Sequence, residues 1–318
     1  MLSPKPSAPL DVSKLPTLDS HLKSLPPDLA RLISSFAQIS MDMQTQFPKY
    51  LRGASGDRNK YGEATAKLDV WANGHLCDSL IKTGLVRTIH SEELGQPIYY
   101  NDSAPFVVTL DPLDGSSNIV TNNPFGIIMG IYRDDLPQKG RKLAAAVYKL
   151  YGPVNTLVYS AGLGVHEFVK HYHADGSAEF LLLNENIELP KKAEVFGIGS
   201  DPLAWDSRLR SFAKDLFKKE KLKARYCGSF VADFSQVLHK GGFFAYPSTS
   251  KNPDGKFRLY YECIPLAYLC EEAGGASWDG RASGGSILDS KADSADARSP
   301  LYLGNKDLIA KLKSAMRN

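Results

Sequence analysis

Leu29, Leu32, Ile33, Phe36, Ile39 and Met43 recur at the ~3.6-residue spacing of one helix face. They predict a first helix beginning near Pro26-Pro27-Asp28, with Met41 and Met43 as core fillers. Upstream, MLSPKPSAPLDVSKLP is rich in Pro and Ser and has no apolar centre. It reads as part of a flexible arm over residues 1–25, not as a signal peptide. Lys49 to Tyr61 is polar and contains Gly, the pattern of a loop. A second helix is predicted over Ala64 to Lys82, with Leu68, Trp71, Leu76 and Leu80 on its apolar side and Gly84 just past its end. Leu85 to His90 and the unbroken, β-branched Phe106 to Leu110 read as strands. From Pro124 to Leu189 strands follow one another: FGIIMGIY, LAAAVYKLYG, NTLVYSAG, GVHEFVKHY and EFLLLNENIEL, with a hairpin turn at Gly162–Gly164.

The pattern changes near Lys191. Trp205 to Lys219 is amphipathic, and Arg225-Tyr226 falls on a short strand. Ser229 is placed to cap a helix carrying Phe230, Val231, Phe234, Val237 and Leu238, which stops at Gly241-Gly242. A strand over Phe243 to Tyr246, the loop STSKNPDG and the strand KFRLYYE follow. A helix from Pro265 to Ala273 and a closing helix capped by Asn305 complete the chain. The reading is an α/β chain in three parts: the arm (1–25), an α+β unit (26–190) and a C-terminal α/β unit (191–318).

Composition narrows the function classes. At 43% hydrophobic and 23% charged the chain is globular, and a net charge of +3 creates no global field for nucleic acid. No apolar run reaches the ~18 residues of a membrane span. Cys77, Cys227, Cys263 and Cys270 contain no C-x-x-C, so they read as buried thiols of a reducing, cytoplasmic compartment. His166, His171 and His173 lack the spacing of a metal trio and read as surface histidines.

The chemistry gathers where strands end. Phe106 to Leu110 runs into DPLDGSSN, in which Pro112 stiffens the turn between Asp111 and Asp114. Gly115 permits a tight turn, and Ser116 or Ser117 could cap a helix start, whose free N–H groups hold a phosphate. Glu92 and Glu93 end the preceding strand, Glu262 stands at a strand-to-helix junction, and Asp69 and Glu63 lie in or before the second helix. Ligands collect outside strand ends in α/β sheets. Like charges ~4 Å apart repel by about 4 kcal/mol at an effective dielectric near 20. Such a cluster therefore keeps protons or takes up cations. Carboxylates without His or Cys favour Mg²⁺ over zinc, with Mn²⁺ as a substitute. Two or three ions would serve phosphate-ester chemistry. Arg225, Lys256 and Arg258, with the hydroxyls of Tyr226 and Tyr246, are the candidates for a distal anionic group; Lys256 and Arg258 share a strand face.

Three segments resemble one family: YGEATAKLDVWAN with HSEE, then LDPLDGSSNI, then RYCGSFVADF…GGFFAYP…GKFRLYYECIPLAYLCEEAGG. They are similar to class I fructose-1,6-bisphosphatase and its relative sedoheptulose-1,7-bisphosphatase, within the lithium-sensitive phosphatases. The resemblance implies a layered α/β/α/β/α fold, a homodimer or homotetramer, and hydrolysis of a ketose bisphosphate at C1. It implies that Glu92, Glu93, Asp111, Asp114, Glu262 and the Leu113 carbonyl hold Mg²⁺. Gly115 and Ser116 would hold the C1 phosphate. Asp69 with Glu93 would prepare the attacking water, and Arg258 would sit near the reacting centre. Tyr226, Tyr246, Lys256 and Arg225, the last reaching into a neighbouring subunit's site, would hold the distal phosphate. Glu63 stands where the family usually has Asp.

Departures shape the choice of sugar. GIGSDPLAWD replaces an Asn-Glu-Gly-Tyr-like stretch, and the segment from there to Arg225 is short, as in the sedoheptulose enzymes. The expectation is sedoheptulose 1,7-bisphosphate, with fructose 1,6-bisphosphate as the alternative. A catalytically silent sugar-phosphate-binding protein is the reading from a different class. The first helix lacks a Thr-Gly-rich AMP pattern and Pro105-Phe106 replace a Lys-Tyr pair, so AMP inhibition is not expected.

Overall fold

The computed structural model describes residues 11–50, 58–281 and 284–317, with backbone alone for Ser13 and 58–66. Three helices come first: α1 (Leu18–His21), α2 (Pro27–Met43) and α3 (Arg58–Lys82). Then follow β1 (Val86–Ser91), β2 (Ile98–Tyr99), β3 (Phe106–Asp114), β4 (Phe125–Tyr132), β5 (Leu143–Tyr151), β6 (Thr156–Ser160), β7 (His166–Tyr172) and β8 (Ala178–Asn184). They form a sheet of order β2-β1-β3-β4-β5-β6-β7-β8, in which β1 and β3 are parallel and the other pairs antiparallel.

The second half contributes β9 (Val195–Ile198), α4 (Ser207–Lys218), β10 (Lys223–Ala224), α5 (Phe230–Lys240) and β11 (Gly242–Tyr246). It continues with β12 (Phe257–Arg258), α6 (Ile264–Glu272), β13 (Ala276–Trp278), β14 (Arg298–Ser299), β15 (Leu301–Gly304) and α7 (Lys306–Arg317). Its main sheet has the order β10-β9-β11-β15-β13, and β12 pairs separately with β14.

Strand alternation produces the layers. Val108, Leu110, Ile127 and Met129 face α2 and α3, whereas their neighbours Val107 and Ile128 face α5 and α6. In the second sheet Phe244 joins that same middle layer, while Phe243 and Ala245 face α4 and α7. The stack is α/β/α/β/α, the layered class expected. Both sheets are covered on both faces, which explains strands such as β4 that are buried at every position.

Several local expectations need correction. Within the arm expected over residues 1–25, Leu18, Leu22 and Leu25 are instead buried in the first core around α1; residues 1–10 lie outside the description. The loop expected over Lys49–Tyr61 instead holds a 3₁₀ turn at Phe47–Lys49 and the start of α3 at Arg58; residues 51–57 lie outside the description. KFRLYYE is a strand only at Phe257–Arg258, then coils into a π-helical turn over Leu259–Cys263. Every side chain in that turn is buried, so no two-residue alternation can develop. The strand expected at Arg225-Tyr226 falls at Lys223–Ala224. Asn305 does not cap α7 with its side chain; its Oδ1 accepts from the Gly242 N–H. His166 is buried, not a surface residue. Cys77, Cys263 and Cys270 are buried and Cys227 half-buried, all as free thiols. Among the described residues no helix is long and apolar enough to cross a membrane.

Candidate active site

Parallel pairing of β1 with β3 sets Ser91 beside Leu110. The chain leaves β1 with the Glu92 N–H donating to the Leu110 carbonyl at 2.9 Å, so Glu92 lands beside Asp111. The π-helical turn delivers Glu262 to the same place, where its Oε2 accepts from the Arg258 N–H at 2.6 Å. One carboxylate oxygen from each of Glu92, Asp111 and Glu262 lies within 4.8 Å of the others. Asp111 and Glu262 are buried. Burial raises both carboxyls well above their ordinary range, and repulsion from Glu92 adds to it. Burial also raises Glu92, against the pull of Arg258, whose guanidinium lies 3.0 Å away.

Asp114 is held differently. Its Oδ2 accepts from the Ser229 hydroxyl at 2.6 Å and the Val231 N–H at 2.8 Å, and its Oδ1 from the Phe230 N–H at 3.1 Å. These donors form the N-terminus of α5, where a carboxylate is favoured. Ser229 is the cap predicted for that helix. Gly115 follows with φ of 76°, and a Cβ there would meet the Ser229 Cβ at 2.4 Å, so this turn requires Gly. The 3₁₀ helix Ser116–Thr121 begins without the side-chain cap expected from Ser116 or Ser117. The Ser116 hydroxyl instead points to Asp69 Oδ2 at 3.4 Å. Burial, then Glu93, raises the Asp69 carboxyl to about 6.

Facing this acidic floor are Lys256, Arg258 and Arg298, with Tyr226 and Tyr246 beside them. Lys256 Nζ stands 5.3 Å from the centroid of the Tyr246 ring. The Arg298 guanidinium donates to the Lys256 carbonyl, bracing that strand. Acids and cations enclose one cleft of about 350 Å³. A cleft that pairs buried carboxylates on one wall with Lys and Arg on the other suits a polyanion bridged by divalent cations.

Residues 19–184 match the family described as Fructose-1-6-bisphosphatase, N-terminal domain, and residues 189–317 match Fructose-1-6-bisphosphatase, C-terminal domain. The chain belongs to the fructose-1,6-bisphosphatase family. It is 39% identical over 282 residues to a class 1 fructose-1,6-bisphosphatase of Trichodesmium erythraeum, covering 83% of this chain and 77% of that one. It is 37% identical over 305 residues to a class 1 fructose-1,6-bisphosphatase of Methanocorpusculum labreanum, covering 95% and 92%. The solved structure of Leishmania major fructose-1,6-bisphosphatase superposes with a TM-score of 0.83 at 29% identity, over 96% of this chain and all of that one. As a fructose-1,6-bisphosphatase family member the protein is a phosphoric monoester hydrolase of the sugar-bisphosphatase class.

Against the residues predicted from sequence, Glu92, Glu93, Asp111, Leu113, Asp114, Gly115, Ser116, Tyr226, Tyr246, Lys256, Arg258 and Glu262 all line the cleft. Asp69 reaches it through Ser116. Arg225 is exposed and does not line it. The Glu63 side chain lies outside the description. Sequence reasoning missed Arg298 and Asp233. Asp233 lines the cleft, accepts from the Cys227 N–H at 2.7 Å, and is pushed up to about 7 by burial. Its place in the first turn of a capped helix was the available signal; a lone Arg opening a two-residue strand offered none for Arg298.

Proposed function

We propose that the protein hydrolyses the C1 phosphate of fructose 1,6-bisphosphate with Mg²⁺. The observation that carries this reading is the convergence of Glu92, Asp111 and Glu262 on one point of a cleft whose opposite wall carries Lys256, Arg258 and Arg298. The relatives favour the six-carbon sugar over the seven-carbon one ranked first from sequence. The short segment behind the seven-carbon ranking does not line the cleft. Gly199 packs against the Tyr246 ring, and the Trp205 indole N–H donates to the Gly199 carbonyl.

The donor set fits hard divalent cations: all oxygen, buried, and mutually repelling when bare. Glu92, Asp111 and Glu262 would hold them, with Glu93, Asp114 and the Leu113 carbonyl completing the set. Bound Mg²⁺ supplies Lewis-acid polarisation of the phosphoryl group and a more acidic water. Asp69, ionised above about pH 6, accepts the water proton, with Glu93 beside it. Gly115 and Ser116 offer backbone N–H groups to the C1 phosphate at the start of their 3₁₀ helix. Lys256, Tyr226 and Tyr246 anchor the distal phosphate, and Arg258 positions Glu92. Exposed Arg225 would act in the cleft of a second copy within a homo-oligomer.

The test is phosphate release with Mg²⁺ from fructose 1,6-bisphosphate and sedoheptulose 1,7-bisphosphate at equal concentration. Turnover of the six-carbon sugar supports the assignment. A more than tenfold preference for the seven-carbon sugar, about 1.4 kcal/mol in transition-state binding, replaces the substrate but keeps the chemistry. Release from neither by folded, Mg²⁺-saturated protein overturns both.

A further inference from the structure

Far from the cleft, the N-terminal segment folds back onto the opposite edge of the eight-stranded sheet. The Leu182 N–H donates to the Pro16 carbonyl at 2.8 Å, and Thr17 bridges to Leu181. This docking sets His21, the last residue of α1, against β6 and β7. The His21 and His166 rings stand 4.4 Å apart by centroid. Glu185 Oε1 lies 3.8 Å from His21 Nε2. One ligand-type atom from each of His21, His166 and Glu185 lies within 4.8 Å of the other two.

The other ring nitrogens are already engaged. His166 Nε2 lies 3.2 Å from the Leu163 carbonyl, which fixes its proton there. His166 Nδ1 accepts a long 3.3 Å bond from the Asn186 N–H, next to Glu185, which a bound ion would displace. His21 Nδ1 lies 2.6 Å from the Tyr159 hydroxyl, which leaves Nε2 turned toward Glu185. Metal-bound imidazoles are oriented as His21 is, one nitrogen tied to the protein and the other offered to the ion. Burial lowers the pKa of both histidines, against the opposing charge of Glu185, so both rings are neutral at and above neutral pH, the form that binds a metal.

We propose that His21 Nε2, His166 Nδ1 and the Glu185 carboxylate form a transition-metal site of the Zn²⁺ class that fastens the N-terminal segment to the sheet. Two imidazoles and a carboxylate select Zn²⁺ over Mg²⁺, the reverse of the all-oxygen cleft. Metal bonds of 2.0–2.1 Å place tetrahedral donors about 3.3 Å apart. The His21–Glu185 pair is already near that spacing, Glu185 is exposed just after β8, and all three ligand atoms lie within 4.8 Å of one another. Water takes the fourth position. The site stands apart from the hydrolytic reading and does not depend on it.

The experiment is a Zn²⁺ titration by calorimetry in excess Mg²⁺, on the full chain and on Glu185→Gln, His166→Gln and Glu262→Gln. One equivalent of Zn²⁺ should bind to the wild type and to Glu262→Gln, and bind at least tenfold more weakly to Glu185→Gln and His166→Gln. Co²⁺ should give tetrahedral visible bands in the first pair only. Should His166→Gln fail to fold, the exposed Glu185→Gln decides alone. Equal affinity in all variants, or loss of Zn²⁺ only in Glu262→Gln, overturns the site.

Discussion

Glu262→Gln should stabilise the metal-free protein at alkaline pH while removing its response to Mg²⁺. The Gln keeps the shape and an oxygen to accept the Arg258 N–H now bonded at 2.6 Å. It removes a charge whose oxygen lies within 4.8 Å of those of Glu92 and Asp111. At an effective dielectric near 20 each such pair repels by about 3.5 kcal/mol, so an ionised Glu262 costs about 7 kcal/mol over the two. Holding a proton instead costs ~1.36 kcal/mol per pH unit above the ordinary value of 4.5, about 5 kcal/mol near pH 8 and about 1 kcal/mol near pH 5.5. Protonation is the cheaper escape at both. The sign follows: a carboxyl raised in the native state binds its proton more tightly than in the unfolded chain, so stability falls as pH rises above 4.5. These figures are ceilings, because Arg258 neutralises part of the cluster. Thermal melts of chelator-treated protein should show the variant ahead by several degrees near pH 8, at roughly 2 °C per kcal/mol, and nearly level near pH 5.5. Added Mg²⁺ should raise the wild-type melt far more than the variant's. A variant less stable than wild type near pH 8, with an equal Mg²⁺ shift in both, would refute the electrostatic account of the floor.

Asp69→Asn should lower kcat by about 10²–10⁴ while the Mg²⁺-induced melting shift survives, and the acidic limb near pH 6 should vanish from the pH–kcat profile. Lys256→Ala should raise KM for the bisphosphate at least tenfold with a smaller change in kcat, read from initial rates. Asp114→Asn should lose turnover and also about 1–3 kcal/mol of stability by denaturant titration, because an amide must face the Phe230 and Val231 N–H groups. Lys149 is fully buried and its pKa is lowered by burial, so the native state resists its proton and loses stability below its ordinary 10.5. Lys149→Met should therefore melt higher near neutral pH, by an amount that shrinks as pH approaches 10.5.

What could be read from sequence was what local chemistry dictates. Glu92 announced itself by following an apolar strand and Ser229 by preceding an apolar helical stripe, and both sit as expected; Asp111, read as following its strand, lies within β3, which runs on to Asp114. Glu262 was legible as an acid but not in its setting, because Leu259 to Cys263 are all buried and carry no period. The docking of Leu18, Leu22 and Leu25 was masked by the prolines around them, although their spacing is helical. For His166 a signal went unused: it shares a strand face with Phe168, two residues on, and both are buried. Arg298 reaches the cleft only through the pairing of β14 with β12, a contact no local pattern encodes.

The middle layer joins Val107, Ile128 and Tyr148 of the first sheet to Phe230, Phe234 and Leu266 of the second half in one continuous core. The chain passes from one side to the other through residues 185–194, between the last strand of the first sheet and the first strand of the second. A break there would sever a single covalent link while leaving an apolar seam and the Asp114–Val231 hydrogen bond in place. The two fragments should therefore aggregate when produced alone and reconstitute when produced together, with hydrolysis as the reporter of their union.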